Sequence, residues 1–510
     1  MNLTVNKIYK YLGMPQKEGG INCQGDRILQ AICVDSRKVS QDSLFVAIPG
    51  EKTDGHMYIG QAINQGAIAI LAQADKKDLC QQFEERAAII YTENTIFALG
   101  KIASGLLAEV PSVKKIAVTG SVGKTTTKEM IAGCLAQIGQ THKTEGNQNS
   151  EIGLPLTIFA LPQQSRYAVC EMGMRGLGQI EYLTEIYKPD IALITNIGLS
   201  HIEILGTQDN ILKAKLEIVK SMEQGTLLLN ADDVILRDQS RIKQILAEYG
   251  KENIDIKYYG ENPISDFRME DYCNTETNAD AVQCFTMRIT SDNVAIAVEL
   301  KIPGKHNCSN ACCALACAYL AAAPAQAALA QAAPAQAMPA QATPAQAAPA
   351  ATILQNANKF ISSYESKNSI RQTITQNSNF TIIDDTYNAS PDSMKASLGV
   401  LASTKANIKV AVLADMLELG TYTQSSHVEI GSVANESSDM LIAYGTHASY
   451  YTEKYSGLKE YTNDINQLFY IIDDIIEKNK NTETTVAFLV KGSNSMGMNK
   501  VAHYIQEKTK

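Results

Sequence analysis

At 510 residues the chain is longer than a single hydrophobic core supports, so two to four domains are expected. Its 45% hydrophobic and 19% charged residues suit a globular enzyme, and no apolar run is long enough to cross a bilayer, so no membrane partner is expected. A net charge of −9 argues against nucleic acid as a partner, and the start MNLTVNKIYKYLG lacks the apolar segment and cleavage site of a secretory signal, so a cytoplasmic location is expected.

Residues 1–91 alternate short β-like runs with glycine-rich turns, as at 44–48 (LFVAI) and 66–71 (GAIAIL), the pattern of a small α/β unit. From about residue 92 a helical stretch leads to 116–118 (IAV), and β-like runs recur between helical ones at 167–170, 191–195 and 226–229. That rhythm predicts βαβ units and a largely parallel sheet over 92–358. Four cysteines cluster at Cys308, Cys312, Cys313 and Cys317, but they lack paired CxxC spacing and follow an alanine-rich helical pattern, which points to packing rather than metal. Between 321 and 351 the composition turns abruptly to Ala, Pro and Gln, with PAQA recurring at Pro324, Pro334, Pro339 and Pro344. Proline removes helical donors and clashes with the preceding turn, so the expectation is a solvent-exposed, partly extended insertion with no continuous helix through it. A third set of β-like runs at 380–383, 410–413, 440–443 and 486–490 reads as a second doubly wound domain over 359–510.

Residues 116–127 (IAVTGSVGKTTT) are a β-like run, a glycine loop, a lysine and hydroxyl residues, followed by a helical pattern. Backbone N–H groups of such a loop, from Thr119 through Gly120, Ser121, Val122 and Gly123 to Thr126, can wrap a phosphate while Lys124 neutralises it and Thr125 ligates Mg²⁺. Valine stands at 118, so the match is to the shorter TGxxGKT form, and nucleoside triphosphate binding follows from strand, loop, lysine and helix occurring in order. Working residues of open α/β sheets collect where parallel strands end. Glu171 follows the run 167–170, His201 follows 191–200, and Lys215 lies in the helical pattern 211–219. A carboxylate and a neutral imidazole are reasonable metal ligands beside a triphosphate.

Taken together, TGSVGKTTTKEM, GNQNSEIGLPLT (146–157), EMG (171–173), TNIGLSHIE (195–203), KAKLEI (213–218), LNADD (229–233), IPGKHNCSNACCALA (302–316), IDDTYNASPDSM (383–394), LADMLELG (413–420) and LVKGSNSMGM (489–498) resemble the Mur ligases. The resemblance extends to VDSRKV and DSLFVAIPGEKTDGH (34–56), leaving only the Ala/Pro/Gln insertion outside it. It implies three domains: a small N-terminal α/β domain (1–91) holding the UDP part of a substrate, a central P-loop ATPase (92–358), and a C-terminal Rossmann-like domain (359–510) that closes over both. It implies uridine-nucleotide contacts at Ser36 and Arg37 and muramoyl-substrate contacts at Asn147, Asn149 and Thr157. ATP and Mg²⁺ are the implied cofactors. Lys124 and Thr125 serve the triphosphate and metal, Glu171 and His201 are further metal ligands, and Lys215 matches a lysine that is carbamylated in several members to hold a second Mg²⁺. Asn307 and Asn310 match residues near the adenine, Arg371 and Asp385 groups that reach the ribose and γ-phosphate, and Tyr387, Asn388, Ser390 and Pro391 a dipeptide pocket.

DDTYNASPDSM and LADMLELG resemble the type that adds D-alanyl-D-alanine to UDP-N-acetylmuramoyl-tripeptide through an acyl phosphate, a step of peptidoglycan precursor synthesis. The sister type that adds a diamino acid carries a DNPR motif, which does not occur here, and folate-polyglutamylating relatives lack the uridine-nucleotide domain. A nucleotide-gated regulatory protein is the alternative from another class. A monomer is expected, and the third residue of the tripeptide stays open between lysine and diaminopimelate.

Overall fold

The computed structural model describes residues 2–15, 27–50, 53–276, 281–331, 347–365 and 371–510. Three sheets succeed one another along the chain. The first has four parallel strands in the order β1 (Ala31–Cys33), β2 (Ser43–Val46), β3 (Ala67–Gln73) and β4 (Ala88–Thr92). Its strands are short apolar runs covered on both faces, as parallel strands require. The helix Thr95–Leu107 follows, its first N–H groups capped by the Asn94 side chain, which accepts from Ile96 and Phe97. Ala98, Leu99, Ile102 and Leu106 pack on the first sheet, whereas Ala103 and Leu107 join the core of the second. One helix thus fixes two units against each other.

The second sheet contains β5 (Lys114–Thr119), β6 (Thr141–Lys143), β7 (Tyr167–Glu171), β8 (Ile191–Ile194), β9 (Thr226–Asn230), β10 (Asp255–Gly260), β11 (Phe267–Glu276), β12 (Ala281–Ile289) and β13 (Val294–Leu300), in the spatial order β13-β12-β11-β10-β9-β8-β5-β7-β6. Pairings from β6 through β11 are parallel, and β11-β12-β13 close the edge as antiparallel hairpins. The chain winds outward from β5 in both directions, so the loop after β5 opens at a switch point, where such sheets bind ligands.

The third sheet contains β14 (Thr373–Asn377), β15 (Phe380–Asp384), β16 (Ile408–Ala414), β17 (Met440–Tyr444), β18 (Leu458–Thr462) and β19 (Val486–Lys491), ordered β14-β15-β19-β16-β17-β18. All pairs are parallel except β14-β15. Register places Asp384 opposite Val490 and Leu413 opposite Lys491, so the carboxyl ends of β15, β19 and β16 lie side by side.

The expectation for the Ala/Pro/Gln stretch needs correction. The helix Lys305–Gln331 runs straight through Pro324, and a second helix, Ala347–Ser363, begins inside the stretch. A single proline costs one backbone hydrogen bond and some steric strain, which the alanine-rich sequence around it, alanine being the best helix former, can offset. Pro349 falls in the first turn of its helix, where an N–H has no intrahelical acceptor to lose. Residues 332–346 lie outside the described residues. Cys308, Cys312, Cys313 and Cys317 are all buried free thiols, packed with Met130, Ile131 and Cys134 of the helix Lys124–Ala136. No helix among the described residues is long and apolar enough to cross a membrane.

Candidate active site

The loop after β5 takes its shape from the end of β8. Ser121 and Val122 N–H groups donate to the Asn196 carbonyl at 3.1 Å and to its side-chain oxygen at 2.9 Å, and the Thr195 hydroxyl donates to the Val122 carbonyl at 2.6 Å. Thr119 donates to the Met172 carbonyl at 2.9 Å. Glycine is required at 120, where φ is 148° and a Cβ would sit 1.9 Å from Thr195 Oγ1. The helix Lys124–Ala136 then starts, and its first N–H groups have no intrahelical acceptor, which makes this end a natural seat for an anion. Lys124 Nζ donates to the Gly120 and Ser121 carbonyls at 2.8 and 3.1 Å. Burial lowers its basicity, Arg371 adds to that, and Glu171 opposes it.

Glu171, wholly buried at the end of β7, accepts from Thr125 Oγ1 at 2.8 Å and from Asn149 Nδ2 at 2.8 Å. Its own N–H donates to Thr144 Oγ1 at 3.1 Å, and the buried Lys128 ammonium donates to the Thr144 carbonyl at 2.6 Å, so the segment leading to Asn147 and Asn149 is anchored from below. Arg371 Nη2 reaches across from the third sheet to donate to Thr125 Oγ1 at 2.7 Å, while its guanidinium lies 3.4 Å from the centre of the Tyr387 ring. Thr125, Glu171, Asn149 and Arg371 therefore form one connected polar chain. Thr125 and Glu171 supply two oxygen donors beside an anion seat. That set fits Mg²⁺, which keeps waters and takes phosphate oxygens rather than an all-protein cage, and no group of three or more His, Cys, Asp and Glu able to hold a metal occurs among the described residues.

His201 has φ 63°, and its Nδ1 lies 2.6 Å from Glu418 Oε2. Lys215 is buried in the helix Gln208–Leu216 and does not line the cleft; burial, reinforced by Lys124, pushes its basicity well below that of an ordinary lysine. On the opposite wall Lys491 Nζ, itself buried, donates to Asp385 Oδ2 at 2.7 Å and to the Asn388 carbonyl at 3.0 Å. Ser390 and Pro391 start the helix Pro391–Ser403: the Ser390 N–H donates to Ser393 Oγ at 2.9 Å and the proline fills the first helical position. Asn307 donates to the Pro303 carbonyl at 2.7 Å, and Asn310 accepts from Thr127 Oγ1 at 3.1 Å beside Gly123.

One cleft of about 1420 Å³ is lined by Ser121, Val122, Gly123, Lys124, Thr125, Thr126, Asn147, Asn149, Glu171, His201, Asn307, Asn310, Arg371, Asp385, Tyr387, Asn388 and Ser390. The central and C-terminal units touch closely along it; a Cβ at Gly198 would lie 2.0 Å from Asp392 Oδ2. Thr119, Gly120, Lys215 and Pro391 stand behind its walls. Thr157 is buried with its hydroxyl on the Gly153 carbonyl at 3.1 Å, outside the cleft lining. Ser36, which donates to Gln61 at 3.2 Å, and Arg37, paired with Asp35 at 2.8 Å, lie on the turn Ser36–Lys38 of the first sheet, outside this cleft. Sequence reasoning passed over Lys491 and Glu418 as individual residues, although LVKGSN and LADMLELG contain them. A lysine directly ending an apolar run was the available signal for the first.

Two outcomes are expected. Lys491→Met leaves the Asp385 carboxylate without its cation and should destabilise the protein by roughly 3 kcal/mol, read from denaturant unfolding. For Lys215 the unfolded chain binds a proton that the folded one releases early, so its burial penalty is full below the lowered folded value and fades as pH rises toward the ordinary lysine range. Lys215→Met should therefore raise the unfolding midpoint at pH 7 in magnesium- and bicarbonate-free buffer, with the gain shrinking toward pH 10; a gain independent of pH contradicts this.

Three family models match the chain in succession: the catalytic domain of the Mur ligase family over residues 29–105, the Mur ligase middle domain over 118–318, and the Mur ligase glutamate ligase domain over 371–494. The UDP-N-acetylmuramoyl-tripeptide--D-alanyl-D-alanine ligase of Bacillus subtilis (strain 168) is 32% identical over 440 residues, 86% of this chain and 84% of that protein. The ligase of the same name from Escherichia coli (strain K12) is 30% identical over 485 residues, 94% of this chain and 95% of that protein. A crystal structure of MurF from Acinetobacter baumannii superposes with a TM-score of 0.79 at 26% identity, covering 99% of both chains. With its three sheets, its phosphate loop and these relatives spanning nearly its whole length, the chain belongs to the Mur ligase family.

Proposed function

We propose that the chain is an ATP-dependent amide ligase that joins D-alanyl-D-alanine to UDP-N-acetylmuramoyl-tripeptide, giving the pentapeptide precursor of peptidoglycan. The observation that carries this reading is the single cleft in which Lys124, Thr125 and Glu171 on one wall face Arg371, Asp385 and Asn388 on the other. Relatives that bear this ligase's name match over 86% and 94% of the chain.

A carboxylate does not condense with an amine in water, because its leaving group is poor. The phosphate loop and Lys124 hold the triphosphate of ATP so that its γ-phosphoryl passes to the terminal carboxylate of the tripeptide, forming an acyl phosphate and releasing ADP. Thr125 and Glu171, with His201 lining the same cleft, would hold Mg²⁺, which would supply charge neutralisation over the phosphoryl oxygens. The amine of D-alanyl-D-alanine then attacks the activated carbonyl and phosphate departs, the amine's proton going to solvent or phosphate. Asn147 and Asn149 orient the tripeptide end, with Thr157 supporting their turn. Ser36 and Arg37 hold the uridine nucleotide on the first domain. Asn307 and Asn310 flank the adenine. Tyr387 and Asn388 face the dipeptide, and Ser390 with Pro391 sets the pitch of that loop through the helix they start. Lys215 matches the lysine that is carbamylated in several family members; a carbamate there would supply oxygen donors for a second cation.

Acyl phosphates hydrolyse readily, so water must be kept out until the amine arrives, and closure of the C-terminal domain (359–510) onto the ATPase domain (92–358) serves that end. The N-terminal domain (1–91) anchors the substrate's far end. A nucleotide-linked substrate and ATP assign the work to the cytoplasm, carried out by a monomer.

Lys124→Ala should reduce ligation at least about 100-fold while UDP-tripeptide binding, measured by calorimetry, stays near that of the unaltered protein. Full ATP-dependent turnover by that variant contradicts the reading, and so does phosphate release that needs no dipeptide.

A further inference from the structure

The geometry points to Glu418 as a positioning residue that crosses from the C-terminal sheet to orient His201 at the metal end of the cleft. The inference rests on the reading of His201 as a metal-side ligand. Four observations support it.

First, Glu418 Oε2 stands 2.6 Å from His201 Nδ1, a buried nitrogen that completes no hydrogen bond among the described residues, so this carboxylate is the acceptor nearest to hand for it. A metal-ligating histidine commonly gives its second ring nitrogen to a carboxylate, which fixes the ring's orientation and tautomer and leaves the other nitrogen for the ion. Second, both residues adopt the left-handed backbone that glycine takes most easily, with φ 63° at His201 and 61° at Glu418. Histidine visits that region more readily than most side chains, but glutamate does not, so at Glu418 a local constraint rather than backbone convenience accounts for it.

Third, the loop presenting Glu418 is held from several sides. Asp415 accepts the His447 N–H at 3.0 Å; the Met416 N–H donates to His427 Nε2 at 3.1 Å; and the Leu417 N–H donates to Ser493 Oγ at 2.9 Å. His427 in turn gives its Nδ1 proton to the Thr423 carbonyl at 2.7 Å, and the Glu418 carbonyl accepts from the Glu203 N–H at 3.3 Å. The carboxylate is thus delivered by a built loop. Fourth, the side chains are 26% and 46% exposed, so the contact does little for stability, and a role in arranging the site explains it better.

His201 follows β8 of the central sheet and Glu418 follows β16 of the C-terminal sheet, so the pair forms only when one unit is seated on the other. Closure and metal-site assembly are then the same event. His201 and Lys124 line the same cleft.

The test compares Glu418→Asn, Glu418→Gln and His201→Ala in the full chain, measuring Mn²⁺ affinity in the presence of ADP by electron paramagnetic resonance, and ADP affinity in metal-free buffer. Asn tolerates the left-handed backbone but falls one methylene short of the imidazole, whereas Gln keeps the length and an acceptor oxygen. Glu418→Asn should weaken Mn²⁺ binding about 10- to 100-fold with metal-free ADP binding unchanged, and Glu418→Gln should restore most of the loss. If His201→Ala weakens Mn²⁺ binding and Glu418→Asn does not, the positioning role is overturned and the metal reading stands. If His201→Ala leaves Mn²⁺ binding intact, the metal reading of His201 fails and the inference with it. Equal losses for Asn and Gln, or loss of metal-free ADP binding, also overturn it.

Discussion

One hydroxyl joins the working parts of this protein. Thr125 Oγ1 donates to Glu171 and accepts from Arg371, so the phosphate loop, the carboxylate ending the neighbouring strand and the C-terminal unit meet at a single atom. Each partner is fixed independently: Thr125 by the helix that starts at Lys124, Glu171 by the end of β7, and Arg371 by its stack on Tyr387. A shift of the C-terminal sheet away from the central one would break the Arg371 contact. Chemistry and domain seating are therefore tied through the same side chain, and a site that must exclude water until its second substrate arrives needs such a tie.

The two walls solve the same physical problem with different materials. The central wall uses backbone: N–H groups at a helix start, a glycine that leaves no room for a Cβ beside Thr195, and an asparagine that shapes the loop. The C-terminal wall uses a buried lysine, Lys491, which binds the Asp385 side chain and the Asn388 carbonyl together and so stiffens the loop that lines that side of the cleft. A buried ammonium is costly alone and acceptable only when paired, which makes this loop intolerant of change at Lys491.

Much of this was legible in the sequence, for a physical reason. Parallel strands buried on both faces are continuous apolar runs, so the runs at 167–170, 191–195, 380–383 and 486–490 fall on β7, β8, β15 and β19 with ends displaced by a residue or two. The phosphate loop is legible because its chemistry is local: glycine, lysine and threonine act within a few residues of one another. What escaped notice is non-local or edge-like. The strands β11 to β13 form an antiparallel edge; β11 and β12 interleave polar with apolar residues and so leave no continuous apolar run, whereas the run 294–298 of β13 was legible and passed over. The partnership of Lys491 with Asp385 spans 106 residues and exists only because β15 and β19 are neighbours. Glu418 meets His201 only through the seating of two units, which no local pattern encodes. The helix through Pro324 shows the opposite failure, a local rule about proline outweighed by the helix-forming alanines around it.

The central claim is that this cleft activates the tripeptide's carboxylate by phosphorylation. The most direct measurement supplies UDP-N-acetylmuramoyl-tripeptide with ¹⁸O in both oxygens of its terminal carboxylate, together with ATP, Mg²⁺ and D-alanyl-D-alanine, and weighs the inorganic phosphate released. The account predicts one ¹⁸O atom in each phosphate formed with the amide product. Amide product accompanied by unlabelled phosphate would contradict it.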